Sequence, residues 1–260
     1  MPEDLMRVRE RLLSSERVVV LTGAGVSAES GVPTFRGEGG LWRDFRPEDL
    51  ATPQAFKRDP VLVWEWYDWR RERVASARPN PAHYAIAEIE KRLSGGTARA
   101  AKTGEKRARH GGPPGKSFTL ITQNVDGLHS LAGSVNILEI HGSIWRVRCL
   151  GCGRETVNRD VPIKMLPHCA CGGVLRPAVV WFGEALPQAV IEAAFGASSG
   201  ADFMLVAGTS GVVEPAASLA LRAKERGAFV AEINTGRTPL SGMADATLHG
   251  KAGEILPGLL

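Results

Sequence analysis

The chain has 260 residues, 43% of them hydrophobic and 23% charged, with 32 Lys+Arg against 28 Asp+Glu and a formal net charge of +4. This is the composition of a globular protein with a sizeable core, and no apolar run approaches the roughly 20 residues of a membrane-spanning helix. The pI near 9.0 does not mark a nucleic-acid-binding face, because Arg99, Lys102, Lys106, Arg107, Arg109 and Lys116 stand against Glu105 alone between Ser94 and Ser117, and that one segment carries more than the whole net charge.

Residues 3–15 place Leu5, Val8, Leu12 and Leu13 at helical spacing. The acidic start Met1-Pro2-Glu3-Asp4 has no signal-peptide character, so a cytoplasmic location is expected. Arg17 to Leu21 reads as a buried strand that runs into Gly23-Ala24-Gly25-Val26-Ser27-Ala28. In doubly wound folds a strand feeding a Gly-x-Gly turn presents backbone N–H groups to a pyrophosphate. Gly23 permits the turn, Gly25 lets the backbone approach the phosphates, and Ser27 adds a hydroxyl for the same anion. The acidic residue that a dehydrogenase needs about twenty positions later is missing, since Gly39 to Pro47 is not a strand. There is no P-loop either.

Residues 36–78 are aromatic-rich and helix-biased, with Trp42, Phe45, Phe56, Trp64, Trp66 and Trp69. Asn80-Pro81 starts a helix that runs to about Arg92. The Gly/Ala/Lys/Arg-rich stretch 94–117 reads as a flexible surface loop. Phe118 to Thr122 is a second buried strand, and Gln123-Asn124-Val125-Asp126-Gly127-Leu128-His129 leaves its C-terminal end. Leu138-Glu139-Ile140-His141-Gly142-Ser143 follows, and residues 145–178 hold all four cysteines. Alternation then resumes, with a helix at about 188–195, a strand at 203–207, a helix at about 214–226 and a strand at 228–233. The pattern predicts an α/β fold, a doubly wound, Rossmann-like parallel sheet within one domain over 1–260. The insertions at 36–80 and 145–178 would build a smaller helical and zinc-ribbon lobe.

Cys149-x-x-Cys152 and Cys169-x-Cys171 are sixteen residues apart, a spacing close to that of a zinc ribbon. The second pair is one residue short, so either Cys171 or His168 completes the set. Four such ligands leave no open coordination position, so a zinc ion here would be structural.

Gly-Ala-Gly-Val-Ser, the Phe35-Arg36 pair, Gln-Asn-Val-Asp and Ile-His-Gly-Ser together resemble the sirtuins, the NAD-dependent protein deacylases. The resemblance continues through Gly208-Thr209-Ser210 and Glu232-Ile233-Asn234-Thr235, so it spans nearly the whole chain. It implies NAD as co-substrate, acyl-lysine proteins or peptides as substrates, and nicotinamide, free lysine and O-acyl-ADP-ribose as products. His141 matches the base that deprotonates a ribose hydroxyl. Asn124 and Asp126 match residues framing the nicotinamide, Gln123 its ribose, and Phe35 the ring that shields the reacting ribose. Arg36 matches the cofactor-loop arginine. Gly208, Thr209 and Ser210 would touch phosphate and ribose, with Asn234 at the second ribose. Trp42, Val125, Thr235 and Ala252 complete the expected cofactor set. Val180, Trp181, Phe182 and Gly183 match a strip that pairs with the substrate backbone, opposed by a strip including Val212 and Glu214.

Tyr67 and Arg70 stand three apart, on one helix face. A Tyr-x-x-Arg at this place resembles the sirtuin-5-like subclass, which removes succinyl, malonyl and glutaryl groups. A guanidinium can hold the terminal carboxylate of such a group by a bidentate, charge-assisted pair. Arg71 fits that pattern less well. Mono-ADP-ribosylation, plain deacetylation and non-enzymatic NAD sensing are the competing readings. A monomer, with no specific nucleic acid and no membrane partner, is expected.

Overall fold

The computed structural model describes residues 3–35, 46–94 and 116–260. Among them, no helix is long and apolar enough to cross a membrane. The chain begins with α1 (Glu3–Ser14), β1 (Arg17–Thr22) and the one-turn α2 (Gly25–Ala28). Next come α3 (Pro47–Leu50), α4 (Pro53–Arg58), α5 (Pro60–Ser76), α6 (Pro81–Leu93), β2 (Ser117–Thr122), α7 (Leu128–Ala132) and β3 (Ile137–Glu139). An antiparallel ribbon follows, made of β4 (Gly142–Cys149), β5 (Glu155–Val157) and β6 (Leu175–Val179). The chain closes with α8 (Gln188–Gly200), β7 (Phe203–Ala207), α9 (Ala216–Glu225), β8 (Phe229–Asn234), β9 (Ala246–His249), α10 (Ala252–Ile255) and a final 3₁₀ turn at Leu256–Leu259.

The large sheet has six parallel strands in the order β3-β2-β1-β7-β8-β9. Counted within the sheet alone, this is the doubly wound order in which the direction of winding reverses between the first and fourth strands. Here that reversal falls between β1 and β7. The central strands β1, β7 and β8 and most of β2 are buried on both faces, as a sheet covered on both sides requires. Val18 and Val20 point to one core with α1, α6 and α10, while Val19 and Leu21 point to the other with α8 and α9. Helices α3 to α5 and the small antiparallel sheet share a third core, built on Phe56, Trp64, Trp66, Tyr67, Ile144, Trp145 and Trp181.

Local chemistry explains the helix starts. Asn80 caps α6 by accepting from the Ala82 N–H at 2.9 Å, and Pro81 occupies the first turn. The Asn80 amide also donates to the Val26 carbonyl at 2.8 Å, which ties α6 to the turn after β1. Asp59 and Thr52 cap α5 and α4 in the same manner.

Three features differ from the sequence reading. The α8 helix continues to Gly200, because Ser198 is buried against the sheet and tertiary packing carries Ala-Ser-Ser-Gly past its weak propensity. The short β3 and β9 were not anticipated. Each has only three or four residues, and each becomes a strand by pairing with β2 or β8.

The join at the reversal point demands glycine. Gly25 N–H donates to the Gly208 carbonyl at 2.8 Å. Gly208 has φ +60, and a Cβ there would lie 2.4 Å from Val26 N. Gly208→Ala should therefore combine left-handed backbone strain of about 1–2 kcal/mol with a backbone clash. Thermal unfolding should show a melting temperature lower by several degrees, and an unchanged melting temperature would contradict this packing.

Candidate active site

A cleft of about 900 Å³ opens at the C-terminal ends of β1, β2, β7 and β8, where open α/β sheets bind ligands. Gly23, Ala24, Gly25, Phe35, Gln123, Asn124, Val125 and His141 line it, with Gly208, Thr209, Ser210, Asn234, Thr235 and Ala252 on the far wall. Tyr67, Arg70, Val180, Trp181, Phe182 and Gly183 line its small-lobe side, and Glu214, between β7 and α9, lines it from the large sheet. Arg36 and Trp42 lie outside the described residues, as does most of the basic 94–117 segment.

Several expected residues stand one layer behind the wall. Ser27 is 1% exposed; its hydroxyl donates to Asp126 Oδ2 at 2.8 Å and accepts from Asn124 Nδ2 at 3.1 Å. The expected phosphate contact gives way to this network, because the one-turn α2 aims the side chain inward. Asp126 is 4% exposed and also accepts from the Leu128 N–H at 2.8 Å. Burial pushes its carboxyl above the usual range, opposed by those hydrogen bonds and by the Arg70 charge. Asn124 Nδ2 also donates to the Gly23 carbonyl at 3.0 Å, linking β2 to the glycine turn. Gly25, expected to make room for phosphates, has a second reason to lack a side chain: a Cβ there would meet the Gly208 carbonyl at 2.8 Å.

Behind this layer lie two buried histidines, with ring centroids 4.7 Å apart. His129 Nε2 is 3.0 Å from Thr22 Oγ1, which itself donates to Thr122 Oγ1 at 2.9 Å. Burial lowers His83 to about 4 and His129 to about 3. Both are neutral at ordinary pH, and they favour the fold until pH falls from the normal imidazole range toward those values.

His141 sits where β3 hands over to β4. Its Nδ1 is 3.1 Å from the Gln123 carbonyl. A carbonyl can only accept, so Nδ1 carries the proton and Nε2 is left as a free base. Burial holds the imidazole below its ordinary pKa, with the Gln123 bond pulling the other way. The next residue, Gly142, has φ +76, and a Cβ there would lie 2.2 Å from the Ala178 carbonyl. Only glycine lets the chain turn there while His141 lines the cleft.

The far wall is joined by Thr209. Gln123 Nε2 donates to its hydroxyl at 2.9 Å, and Asn234 Nδ2 donates to its carbonyl at 2.7 Å. Sequence reasoning missed Glu29, whose carboxylate accepts from Gly253 N–H at 2.7 Å and seats α10 beside the cleft. It also missed Lys251 and Arg237, which line the same end. No motif signals Arg237 and Lys251, which stand in the loops after β8 and β9.

The strip after β6 is largely closed on itself. Val180 N–H donates to the His141 carbonyl, Trp181 N–H to the Glu184 carboxylate and Phe182 N–H to the Ala51 carbonyl. An incoming chain would therefore pair with this strip's carbonyls and the Gly183 N–H. Val212 is exposed beside the cleft rather than in its lining, which takes Val213 and Glu214.

On α5, Tyr67 and Arg70 both face the cleft. The Tyr67 oxygen accepts from Trp181 Nε1 at 2.9 Å. Burial raises the phenol pKa, so it stays protonated. Arg70 is 8% exposed, with its guanidinium 4.8–5.3 Å from the ring centroids of Trp66, Phe35 and Tyr67. Among the described residues no carboxylate pairs with it. Arg71 turns the other way and donates to the carbonyls of Ile144, Asn158 and Asp160 at 3.3, 2.7 and 3.0 Å. It fastens α5 to the small sheet and takes no part in the cleft.

The four cysteine sulfurs lie within 4.8 Å of one another, with Cys149–Cys171 at 3.5 Å and Cys152–Cys169 at 3.8 Å. Zinc–sulfur bonds of about 2.3 Å in a tetrahedron put sulfurs about 3.8 Å apart, so this donor set fits zinc. His168 is not among the gathered ligands; its backbone bridges to Val174 instead. The cluster hangs from the outer end of the small sheet and does not line the cleft.

The sequence profile of the Sir2 family matches residues 23–98 and 113–215. The chain belongs to the Sir2 family. An NAD-dependent protein deacylase 2 from Pyrobaculum aerophilum is 51% identical over 257 residues, covering 98% of this chain and 94% of the relative. A solved Sir2 homologue in complex with NAD is 48% identical with a TM-score of 0.84, covering 98% of this chain and 91% of that one. A Sir2 protein solved with a myristoylated histone peptide is 33% identical with a TM-score of 0.75, covering 100% of this chain and 95% of that one.

The purified chain should carry about one zinc per molecule by metal analysis. Strong chelation should unfold the small lobe and lower the melting temperature, because metal binding and folding are linked here. A metal-free preparation with unchanged melting would contradict the assignment.

Proposed function

We propose that the chain is an NAD-dependent protein-lysine deacylase of the sirtuin-5-like kind, favouring succinyl-, malonyl- or glutaryl-lysine over acetyl-lysine. The observation that carries the acyl preference is the Arg70 guanidinium, buried at the cleft wall with no ion pair among the described residues. A buried cation is expensive to leave unpaired. A dicarboxylic acyl group brings the missing anion, and the Tyr67 phenol offers a further donor. An acetyl group brings neither.

NAD would be held by the glycine turn, the Gln123–Asp126 loop, the Gly208–Ser210 loop and Asn234. It supplies the electrophilic ribose carbon and the nicotinamide leaving group. His141 accepts a ribose hydroxyl proton at Nε2, while the Gln123 carbonyl fixes the ring's tautomer. Phe35 walls the cleft next to Arg70 and would shield the reacting ribose from water. The acyl-lysine backbone lies between the 180–183 strip and Val213–Glu214, paired through main-chain groups, so sequence preference is broad. The myristoylated-peptide complex of the relative supports placing an acylated peptide in this groove.

Two outcomes test this reading. The pH profile of kcat/KM should keep its plateau below pH ~6.5, the ordinary imidazole value, because a lowered pKa leaves Nε2 unprotonated to lower pH. Activity should fall only as pH drops through that lowered value, and His141→Ala should abolish turnover while NAD still binds. Near-normal turnover by His141→Ala would remove it from the mechanism.

For acyl choice, matched peptides carrying succinyl- and acetyl-lysine are compared with NAD. A charge-assisted hydrogen bond of about 1.5–3 kcal/mol corresponds to roughly ten- to a hundredfold, so kcat/KM should favour succinyl-lysine by that order. Arg70→Met should erase the preference with acetyl activity persisting. An equal loss on both peptides would make Arg70 structural and end the subclass assignment.

A further inference from the structure

The Tyr67 phenol would touch the acyl group, yet what sets its hydrogen-bonding sense lies on another element. Trp181 Nε1–H donates to the Tyr67 oxygen at 2.9 Å across a buried contact between the strip after β6 and α5. An indole N–H is a donor only. The phenol oxygen must therefore accept from it, and the Arg70 guanidinium, also a donor only, bonds to the same side chain. Among the described residues the phenol proton itself has no acceptor.

The indole has little freedom to release this bond. The Arg176 guanidinium lies 3.4 Å from the centroid of its ring, and the Phe56 ring packs at 5.3 Å. Arg176 is pinned in turn by both Glu184 oxygens, at 2.5 and 2.9 Å, and the Trp181 N–H donates to the same carboxylate at 2.8 Å. Glu184, Arg176, Trp181 and Tyr67 thus form one fixed chain from the peptide strip to the acyl pocket.

We propose that Trp181 is a specificity-determining residue, whose indole N–H fixes the Tyr67 phenol as a donor toward the acyl group, so that the pocket selects acyl chains ending in a hydrogen-bond acceptor. Trp181 acts through Tyr67 and is a positioning residue. The inference rests on the acidic-acyl reading above.

The test measures kcat/KM on matched succinyl- and acetyl-lysine peptides for wild type, Trp181→Phe, Tyr67→Phe and the double variant. Phenylalanine keeps an aromatic ring over Arg176 and removes the N–H donor together with one ring of the indole. The succinyl-to-acetyl ratio should fall about three- to tenfold in Trp181→Phe, the worth of one neutral hydrogen bond. Tyr67→Phe should lower the ratio as well, and adding Trp181→Phe to it should change the ratio no further, because the N–H has lost its relay. A misfolded fraction lowers both rates alike and leaves the ratio untouched, so instability does not imitate the effect. An unchanged ratio in Trp181→Phe, or an equal drop in the Tyr67→Phe background, would overturn the proposal. A wild-type protein with no succinyl preference would instead remove the acyl-class reading on which it rests, and the proposal with it.

Discussion

A guanidinium enclosed by aromatic rings is the constraint around which the small lobe is built. Moving a cation out of water carries an effective penalty of several kcal/mol. The ring faces of Phe35, Trp66 and Tyr67 return part of that, at about 0.5–2 kcal/mol per cation–π contact. The remainder is a standing attraction for an anion. Keeping the site open requires that α5 not shift, and three part-buried polar contacts hold it. Trp64 Nε1 donates to the Leu175 carbonyl at 2.9 Å, Asp68 accepts from the Ile163 N–H at 2.8 Å, and Arg71 grips the carbonyls after β5. All three reach segments bordering the cysteine cluster. A zinc ion held by the four cysteines would stabilise the surface against which α5 is set.

The large sheet supplies the other half of the cleft by a different device. At the reversal between β1 and β7, glycines bring two loops to backbone contact, and a buried polar layer then locks them. Ser27, Asn124 and Asp126 satisfy one another, so the Gln123–Asp126 loop leaves β2 in a single conformation. That loop positions the Gln123 carbonyl, which selects the tautomer of His141. Trp145, from the small sheet, donates to the Asp126 carbonyl at 2.7 Å and joins the two halves at the base of the cleft.

Sequence alone carried the long apolar strands β1, β2, β7 and β8, because burial on both faces makes them unbroken hydrophobic runs. It also carried the glycine turn, the cysteine pairs and the Tyr67–Arg70 spacing, each a local pattern with a local cause. It did not carry β3 and β9, whose strand character comes from partners far along the chain. Ser27 was assigned to the cleft because a hydroxyl beside a phosphate loop suggests that contact; its true direction depends on how α2 meets β2. Helical spacing alone put both Arg70 and Arg71 within reach of Tyr67's face. The resemblance favours Arg70, and the tertiary packing supplies the reason, turning one to the cleft and the other to the carbonyls of the small sheet.

The central claim is that Arg70 waits for a carboxylate at the end of the acyl chain. The most direct measurement is a structure of the chain with a succinyl-lysine peptide in the cleft. The account predicts the succinyl carboxylate about 2.7–2.9 Å from the Arg70 guanidinium nitrogens, the range of a charge-assisted pair, with the Tyr67 hydroxyl bonded to the same group. A carboxylate turned out toward solvent, with Arg70 still enclosed by its rings alone, would contradict it.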